Sequence, residues 1–305
     1  MRIEVEDVTP LRFEDGSPVR AASAVARFGD GWLVAQDDAT HGAWVRDGTV
    51  TAVRLLPPVR GLDVFDEAAG TKHLKPDLEA ACELMVDGDP WVLLLGSGST
   101  PARMRSSLLR LEHGEPRPVV ADLSLLYAVV AHTLSVNPDE LNMEGACVVG
   151  DALRWFQRGL PSAGIPTASV DLDLSALLAA VATGADASDI AVTDPVHYDI
   201  GDAEGVALAV TDAVFLHGRS ILVSAAAEDA PNTRDDGPVV GAALARLDGE
   251  LVSDVARIPD VEGQAPKVEG LSLLEPDDAS VRVLATVDAD DPEACSLAVR
   301  LRVHW

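Results

Sequence analysis

The sequence predicts an all-β fold, a single β-propeller domain over residues 1–305 with five blades, or six as the alternative. Three observations predict it. A unit of an apolar strand, a tight turn and a second apolar strand recurs five times. Four of the five copies carry an acid at one fixed position of the first strand, and every copy has alanine or glycine next. The last copy is one strand short of a four-stranded blade, and a predicted strand that begins near residue 2 belongs to no copy of the repeat. Repeated antiparallel strand units that close into a ring are typical of propellers.

The clearest unit has strands at residues 142–149 and 152–159, joined by a Gly150-Asp151 turn that favours a β-hairpin. Aligned without gaps, the unit that starts at Thr211 places Asp212 on Glu144. The other pairs of strands lie at 23–28 and 32–35, 78–84 and 91–95, 211–216 and 221–224, and 268–274 and 281–287, with turns at 29–31, 87–89, 217–218 and 276–278.

One position of the repeat stands out because it carries the acids, and Ser23 replaces the acid in the first copy. The small residue that follows would let the inner strands of neighbouring blades approach closely. Glu204 precedes a glycine too, but it would need a much longer turn, and we interpret it as lying outside the repeat. The four acids are Glu79, Glu144, Asp212 and Glu269.

The copies start about 55–70 residues apart, more than the roughly 40–50 residues of a blade. The excess is explained by helical insertions, which the leucine- and alanine-rich stretches at 123–134 and 174–182 predict, with Ser175 as a candidate cap. The strand at residues 2–5 is expected to complete the last blade, which closes the ring and protects an open edge.

Composition excludes several function classes. The chain has 23 Lys+Arg against 50 Asp+Glu and a formal net charge of −27, which argues against nucleic-acid partners and anionic membranes. Apolar residues make up 48%, enough for a packed core. The three cysteines lack disulfide or zinc spacing, and the first residues lack a secretory signal, so we expect a cytoplasmic protein.

In a propeller the first strand of each blade lines the central channel, and the loop after the second strand opens on the same face. The repeat acids should therefore meet polar strand ends at one mouth of the channel. The ligand-binding residues expected there are Asp38, Arg105, Arg158, Glu228 and Lys267.

A ring of ionised carboxylates repels itself unless protons, cations or basic side chains compensate it. Ca²⁺ prefers such an oxygen-rich, histidine-poor set, so the four repeat acids are the predicted metal ligands. Local arginine and lysine side chains could instead neutralise them. A further alternative is structural, with each acid bonding backbone amides of a neighbouring blade.

The sequence also resembles an uncharacterised bacterial β-propeller family. The motifs that carry the resemblance are LNMEG at 141–145 with 157–159, Thr211-Asp212 with 224–229 and 235–238, GSGS at 96–99 with Arg105, and KVEG at 267–270 with 288–292. It implies the propeller fold and a role for the acidic and arginine loop residues. The strand starts are more distantly similar to phytase-like and esterase-like propellers.

Two functions remain open. In the first, the mouth is a non-catalytic site for a small molecule or a partner peptide, because the sequence offers no Ser-His or Cys-His constellation. In the second, bound calcium activates water to hydrolyse a small phosphoester, carboxyl ester or lactone, while Arg105 and Arg158 hold an anionic group.

Overall fold

The computed structural model of the protein describes residues 1–86, 88–193, 195–229, 232, 237–276, 280–291 and 293–305. The expected turn residues 87 and 277–278 and the motif positions 235–236 and 292 lie outside the described residues. Within that part of the chain, five four-stranded antiparallel sheets form a five-blade β-propeller, as predicted.

The strands follow the chain blade by blade, and the first of them, β1 (Arg2–Pro10), belongs to the last blade. Blade 1 has β2 (Ala22–Phe28), β3 (Gly31–Gln36), β4 (His41–Arg46) and β5 (Thr49–Arg54). Blade 2 has β6 (Leu78–Val86), β7 (Asp89–Gly96), β8 (Arg105–Glu112) and β9 (Glu115–Asp122). Blade 3 has β10 (Met143–Val149), β11 (Ala152–Gln157), β12 (Thr167–Asp173) and β13 (Val196–Tyr198). A short hairpin of β14 (Asp202–Ala203) and β15 (Val206–Ala207) precedes blade 4, which has β16 (Ala209–His217), β17 (Ser220–Glu228), β18 (Val239–Asp248) and β19 (Leu251–Arg257). Blade 5 has β20 (Lys267–Pro276), β21 (Ser280–Asp288) and β22 (Leu297–His304).

The ring is closed by its first strand, as the sequence predicts. β1 pairs antiparallel with β22 and completes a sheet of order β1-β22-β21-β20. Arg2 pairs with His304 and Pro10 with Leu297, so the pairing runs the length of both strands. An outer edge that would otherwise be open is thereby covered.

The first two strands of each blade are largely buried, because they lie toward the centre of the ring with neighbouring blades on both faces. β17 is buried at every position except its last, and its sequence reads as an almost continuous apolar run. Burial on both faces removes the alternation that a half-exposed strand would show.

The inner strands β2, β6, β10, β16 and β20 lie side by side around the channel. Small residues allow this approach. A Cβ atom built on Gly145 would lie 2.6 Å from the Cα atom of Asp212 in the next blade, and one on Gly270 would lie 2.7 Å from the backbone nitrogen of Val25.

Both predicted helical insertions are present, as α1 (Ser124–Leu134) and α2 (Leu174–Thr183). Leu126, Tyr127 and Val130 of α1 pack into the core that blades 2 and 3 share. The predicted cap Ser175 is wrong, because the side chain of Asp173 accepts the hydrogen bond from the Ala176 amide at 2.8 Å. Ser175 is the second residue of the helix and cannot cap it, since the capping side chain must come from the extended residue before the helix.

The cysteines and Glu204, to which the sequence assigns no role in the site, lie in the core or in a turn. Glu204 and Gly205 form the turn between β14 and β15. Cys82, Cys147 and Cys295 are buried. Among the described residues, neither helix has the length and apolar character needed to span a bilayer.

Candidate functional site

The mouth of the channel is built from one repeated position. The ladder between the first and second strands skips one residue near the start of each blade, so the strand bulges there and turns a side chain toward the axis. The skipped residues in blades 1, 2, 4 and 5 are Ser23, Glu79, Thr211 and Glu269. In blade 3 the ladder skips Gly145, and Glu144 directly before it is the residue that lines the mouth.

The first cluster at the mouth joins blades 1 and 2 through Lys75. Its ammonium group forms ion pairs with Asp37, which follows β3, and with Asp77 at 2.6 Å. Arg103 Nη1 lies 2.8 Å from the second oxygen of Asp77, which also accepts a hydrogen bond from Ser97. Burial opposes ionisation of Asp77, but Lys75 and Arg103 together lower its pKa.

The second cluster joins blades 3 and 4 through Arg158. Its Nη1 lies 3.0 Å from Glu144 Oε1 and its Nη2 lies 2.5 Å from Glu228 Oε2. Asn142 donates a further hydrogen bond to Glu144 at 2.7 Å, and Glu228 accepts one from the Gly237 amide at 2.7 Å. Burial raises the pKa of Glu144 to about 6 even though Arg158 opposes the shift.

The third cluster belongs to blade 5. Lys267 Nζ lies 2.8 Å from Asp290 Oδ1 and 3.5 Å from Glu269 Oε1. Burial raises the pKa of Glu269. The pKa of Asp288 rises to about 7, first because it is buried and then because Asp290 lies beside it.

Glu79 differs from these acids. Within the described part of the chain its carboxylate has neither a hydrogen-bond donor nor an ion-pair partner at contact distance, although Lys75 lies near enough to attract it. Its carboxylate lies with those of Asp37 and Asp77 so that one ligand atom from each falls within 4.8 Å of the others. Burial, and then Asp77 and Asp37, raise the pKa of Glu79.

A family model matches residues 71–292, a span that holds most of the mouth. Its description is "Family of unknown function (DUF6910)". The chain belongs to this family. The bacterial propeller family that the sequence resembles is thereby confirmed as one of unknown function. No curated protein sequence matches this DUF6910 chain.

Comparison with solved structures finds distant similarity to this DUF6910 member. Glutaminyl cyclase from Myxococcus xanthus aligns with a TM-score of 0.51 and 10% identity over 99% of this chain and 97% of its own. A protein of unknown function from Dyadobacter fermentans gives 0.46 and 11% over 99% of both chains. A gluconolactonase from Xanthomonas campestris gives 0.34 and 14% over 99% of this chain and 74% of its own.

Six of the nine residues predicted for the site line the mouth together. They come from blades 2, 3, 4 and 5. They are Glu79, Glu144, Arg158, Glu228, Lys267 and Glu269.

Asp212 does not line the mouth, because Thr211 takes its place in the repeat. Thr211 Oγ1 donates to the Val268 carbonyl at 2.5 Å, just as Ser23 Oγ donates to the Leu78 carbonyl at 2.5 Å. Asp212 instead accepts a hydrogen bond from the Leu271 amide at 2.6 Å and links blade 4 to blade 5. The gapless alignment is off by one residue because β16 has a second irregularity between Phe215 and His217.

Two more predicted residues lie outside the mouth. Arg105 begins β8, where it pairs with Asp122 across the sheet. Asp38 turns away from the axis, and its carboxylate lies 2.9 Å from Arg20 Nη2 in a separate groove. In both cases the residue that does reach the mouth, Arg103 or Asp37, is one or two positions earlier.

Other residues of the mouth were not selected from the sequence. A usable signal existed for two of them, since Asp77 and Asn142 stand two positions before a repeat acid, as Lys267 does. Side chains two apart on a strand share a face. Apart from Ser23 of the repeat, the unselected polar residues are Asp37, Lys75, Asp77, Arg103, Asn142, Asn232 and Asp288.

The raised pKa values predict how stability depends on pH. Asp288 and Glu144 keep protons in the folded state that the unfolded chain releases, so their contribution is present below about pH 4 and is lost as pH rises to about 7. We expect Asp288→Asn to flatten the fall in the free energy of unfolding over this range, measured by urea unfolding at a series of pH values. Glu250→Gln, an exposed turn substitution, serves as the control. Parallel curves for Asp288→Asn and the wild type would contradict the assignment.

Proposed function

We propose that the channel mouth binds a small ligand through one positively charged group, with Glu79 as the principal carboxylate. The observation that carries the proposal is the lack of a paired cation on Glu79, beside three basic side chains that each span two other acids. Because the protein's own cations are engaged elsewhere, a ligand cation is the natural partner for this carboxylate.

The size of the mouth limits the ligand. The cavity at the mouth has a volume of about 70 Å³, room for about five to seven water molecules at 10–15 Å³ each. No aromatic side chain is found among the described lining residues, so stacking of a sugar ring or a base is not supported. An ammonium group or a single metal ion fits this space better than a large organic molecule.

Charge balance supports a cation and couples its binding to protons. The described lining holds seven carboxyl groups and four basic groups. Burial raises the pKa values of Glu79, Glu269 and Asp288, which favours their protonated forms. With these three groups protonated, four carboxylates remain against four basic groups, and the two signs cancel. A bound cation would favour ionisation of Glu79, so binding should release a proton and strengthen as pH rises.

Calorimetric titration with methylammonium chloride at constant ionic strength tests the proposal. We expect binding by the wild type that strengthens up to about tenfold per pH unit while Glu79 must lose a proton. Glu79→Gln should lose the binding, because it removes the charge and keeps the shape. Heats measured in two buffers of different ionisation enthalpy would report the released proton.

Glu250→Gln is the matched control, since it removes one negative charge from an exposed turn between β18 and β19. It should bind methylammonium as the wild type does. Equal binding by wild type and Glu79→Gln, or no binding of methylammonium at any pH, would refute the proposed site.

The second candidate is a calcium site that assists hydrolysis of a small ester or lactone. The three carboxylates of Asp37, Asp77 and Glu79 favour it, because their spacing is that of ligands around one ion. Lys75 competes, since its ammonium group already pairs with two of the three. Lys75→Met should therefore raise the affinity for Ca²⁺, which gains two carboxylate ligands. It should not weaken methylammonium binding, because Glu79 remains and one competing positive charge is removed. Hydrolysis of a panel of phosphoesters, carboxyl esters and lactones, with and without Ca²⁺, separates this candidate from simple binding.

A further inference from the structure

A second concave site lies beside the mouth, on the outer part of blade 1. We call it the blade 1 groove. It is formed between the loop that joins β1 to β2 and the facing ends of β3, β4 and β5, with Val64 at its far side. The groove has a volume of about 670 Å³, which is typical of sites for small organic ligands. The residues used below are Phe13, Arg20, Asp38, His41, Ala52 and Val64.

The groove is separate from the mouth. The chain that leaves β3 divides them, because Asp37 turns its side chain into the mouth and Asp38 turns its own into the groove. The described linings of the two sites have no residue in common. A ligand in the groove therefore does not need the carboxylates that the proposed function uses.

Two flat side chains form one wall. The rings of Phe13 and His41 lie with their centroids 5.9 Å apart and their planes tilted by 48°. Burial, then the charge of Arg54, lowers the pKa of His41, so its imidazole is neutral and presents an aromatic surface at neutral pH. Ala52 and Val64 add apolar surface. Such walls suit a planar organic group.

The polar groups select for positive charge. The Asp38 carboxylate is 18% exposed and lies 2.9 Å from Arg20 Nη2, so a mostly buried ion pair stands in the groove. The acids Glu14, Asp15 and Glu293 also line it, against one arginine among the described lining residues. An aromatic face beside excess carboxylate is the arrangement that attracts organic cations.

We propose that the blade 1 groove is a second binding site, for a planar organic cation that stacks on Phe13 and His41 and pairs its charged group with Asp38. The site is independent of the cation site at the mouth. Arg20 competes with the ligand for Asp38, so the ion pair between them sets how strongly the ligand binds.

Benzamidinium is the probe, with neutral benzamide and anionic benzoate as ligands of nearly the same shape. Calorimetric titration of the whole protein should show benzamidinium binding at least about tenfold more tightly than benzamide, and no binding of benzoate. Asp38→Asn should weaken benzamidinium about tenfold or more, and Phe13→Leu about threefold to tenfold.

Arg20→Gln gives a change of opposite sign, since it frees Asp38 and should tighten benzamidinium binding. It also keeps the test decisive if Asp38→Asn does not fold. Asp47→Asn is the control for charge, because it lies in the exposed turn between β4 and β5, where asparagine accepts the positive φ of 44°. Glu79→Gln should leave benzamidinium binding unchanged even if it abolishes binding at the mouth. The proposal is overturned if benzamide binds as tightly as benzamidinium, or if Asp38→Asn and Arg20→Gln leave the affinity unaltered.

Discussion

Replacing Arg158 with methionine should destabilise the protein by about 3–5 kcal/mol at neutral pH, the cost of leaving buried charge without its partner. Arg158 lies between Glu144 and Glu228, whose side chains are 5% and 4% exposed. Two carboxylates that share one guanidinium would then face each other in a poorly solvated space. Urea unfolding monitored by circular dichroism measures the loss.

The cost should shrink as pH falls toward about 6, because Glu144 takes up a proton near pH 6 when Arg158 is present and at a higher pH when it is not. Adding Glu144→Gln and Glu228→Gln to Arg158→Met should restore most of the lost stability, since no buried charge remains. Arg257→Met is the control: its ion pair with Asp260 is 60% and 51% exposed and should cost at most about 1 kcal/mol. A loss no larger than that of the control would mean that the pair at the mouth is as well solvated as one at the surface.

The repeat position was predictable because its signal is local. An acid followed by a small residue, near the start of the first strand of a hairpin, reflects the bulge and the close approach of the inner strands. The same rule fails for Asp212, because the extra residue near His217 changes the count between the turn and the bulge. Counting from the turn therefore shifts the side chain to the other face of the strand.

The ion-pair partners were harder to predict, because loops rather than repeats position them. Lys75 lies in the loop before β6 and Arg103 in the loop between β7 and β8, and only the folded chain places both beside Asp77. Asp37 and Asp38 are adjacent in sequence and equally acidic. Which of the two faces the mouth depends on where β3 ends, and a shift of one residue exchanges their sites.

Replacing Gly145 with alanine should destabilise the propeller by about 2–5 kcal/mol, because two effects add. The residue has a φ of +56°, which strains any residue with a side chain. Its new methyl group would also lie 2.6 Å from the Cα atom of Asp212, so β10 and β16 would have to move apart. Backbone atoms of an inner strand cannot yield as the end of a flexible side chain can.

Gly150→Ala separates the two effects. Gly150 has a φ of +63° in the turn of the same hairpin, but no neighbouring atom lies within 4 Å of its built Cβ, so only the strain of about 1–2 kcal/mol is expected. The difference between the two variants in urea unfolding measures the contact between blades. Because that contact sets the width of the channel, a folded Gly145→Ala should also bind methylammonium less well, whereas Gly150→Ala should not. Equal losses of stability in the two variants would show that the inner strands can accommodate a methyl group at residue 145. The small residue of the repeat would then need another explanation.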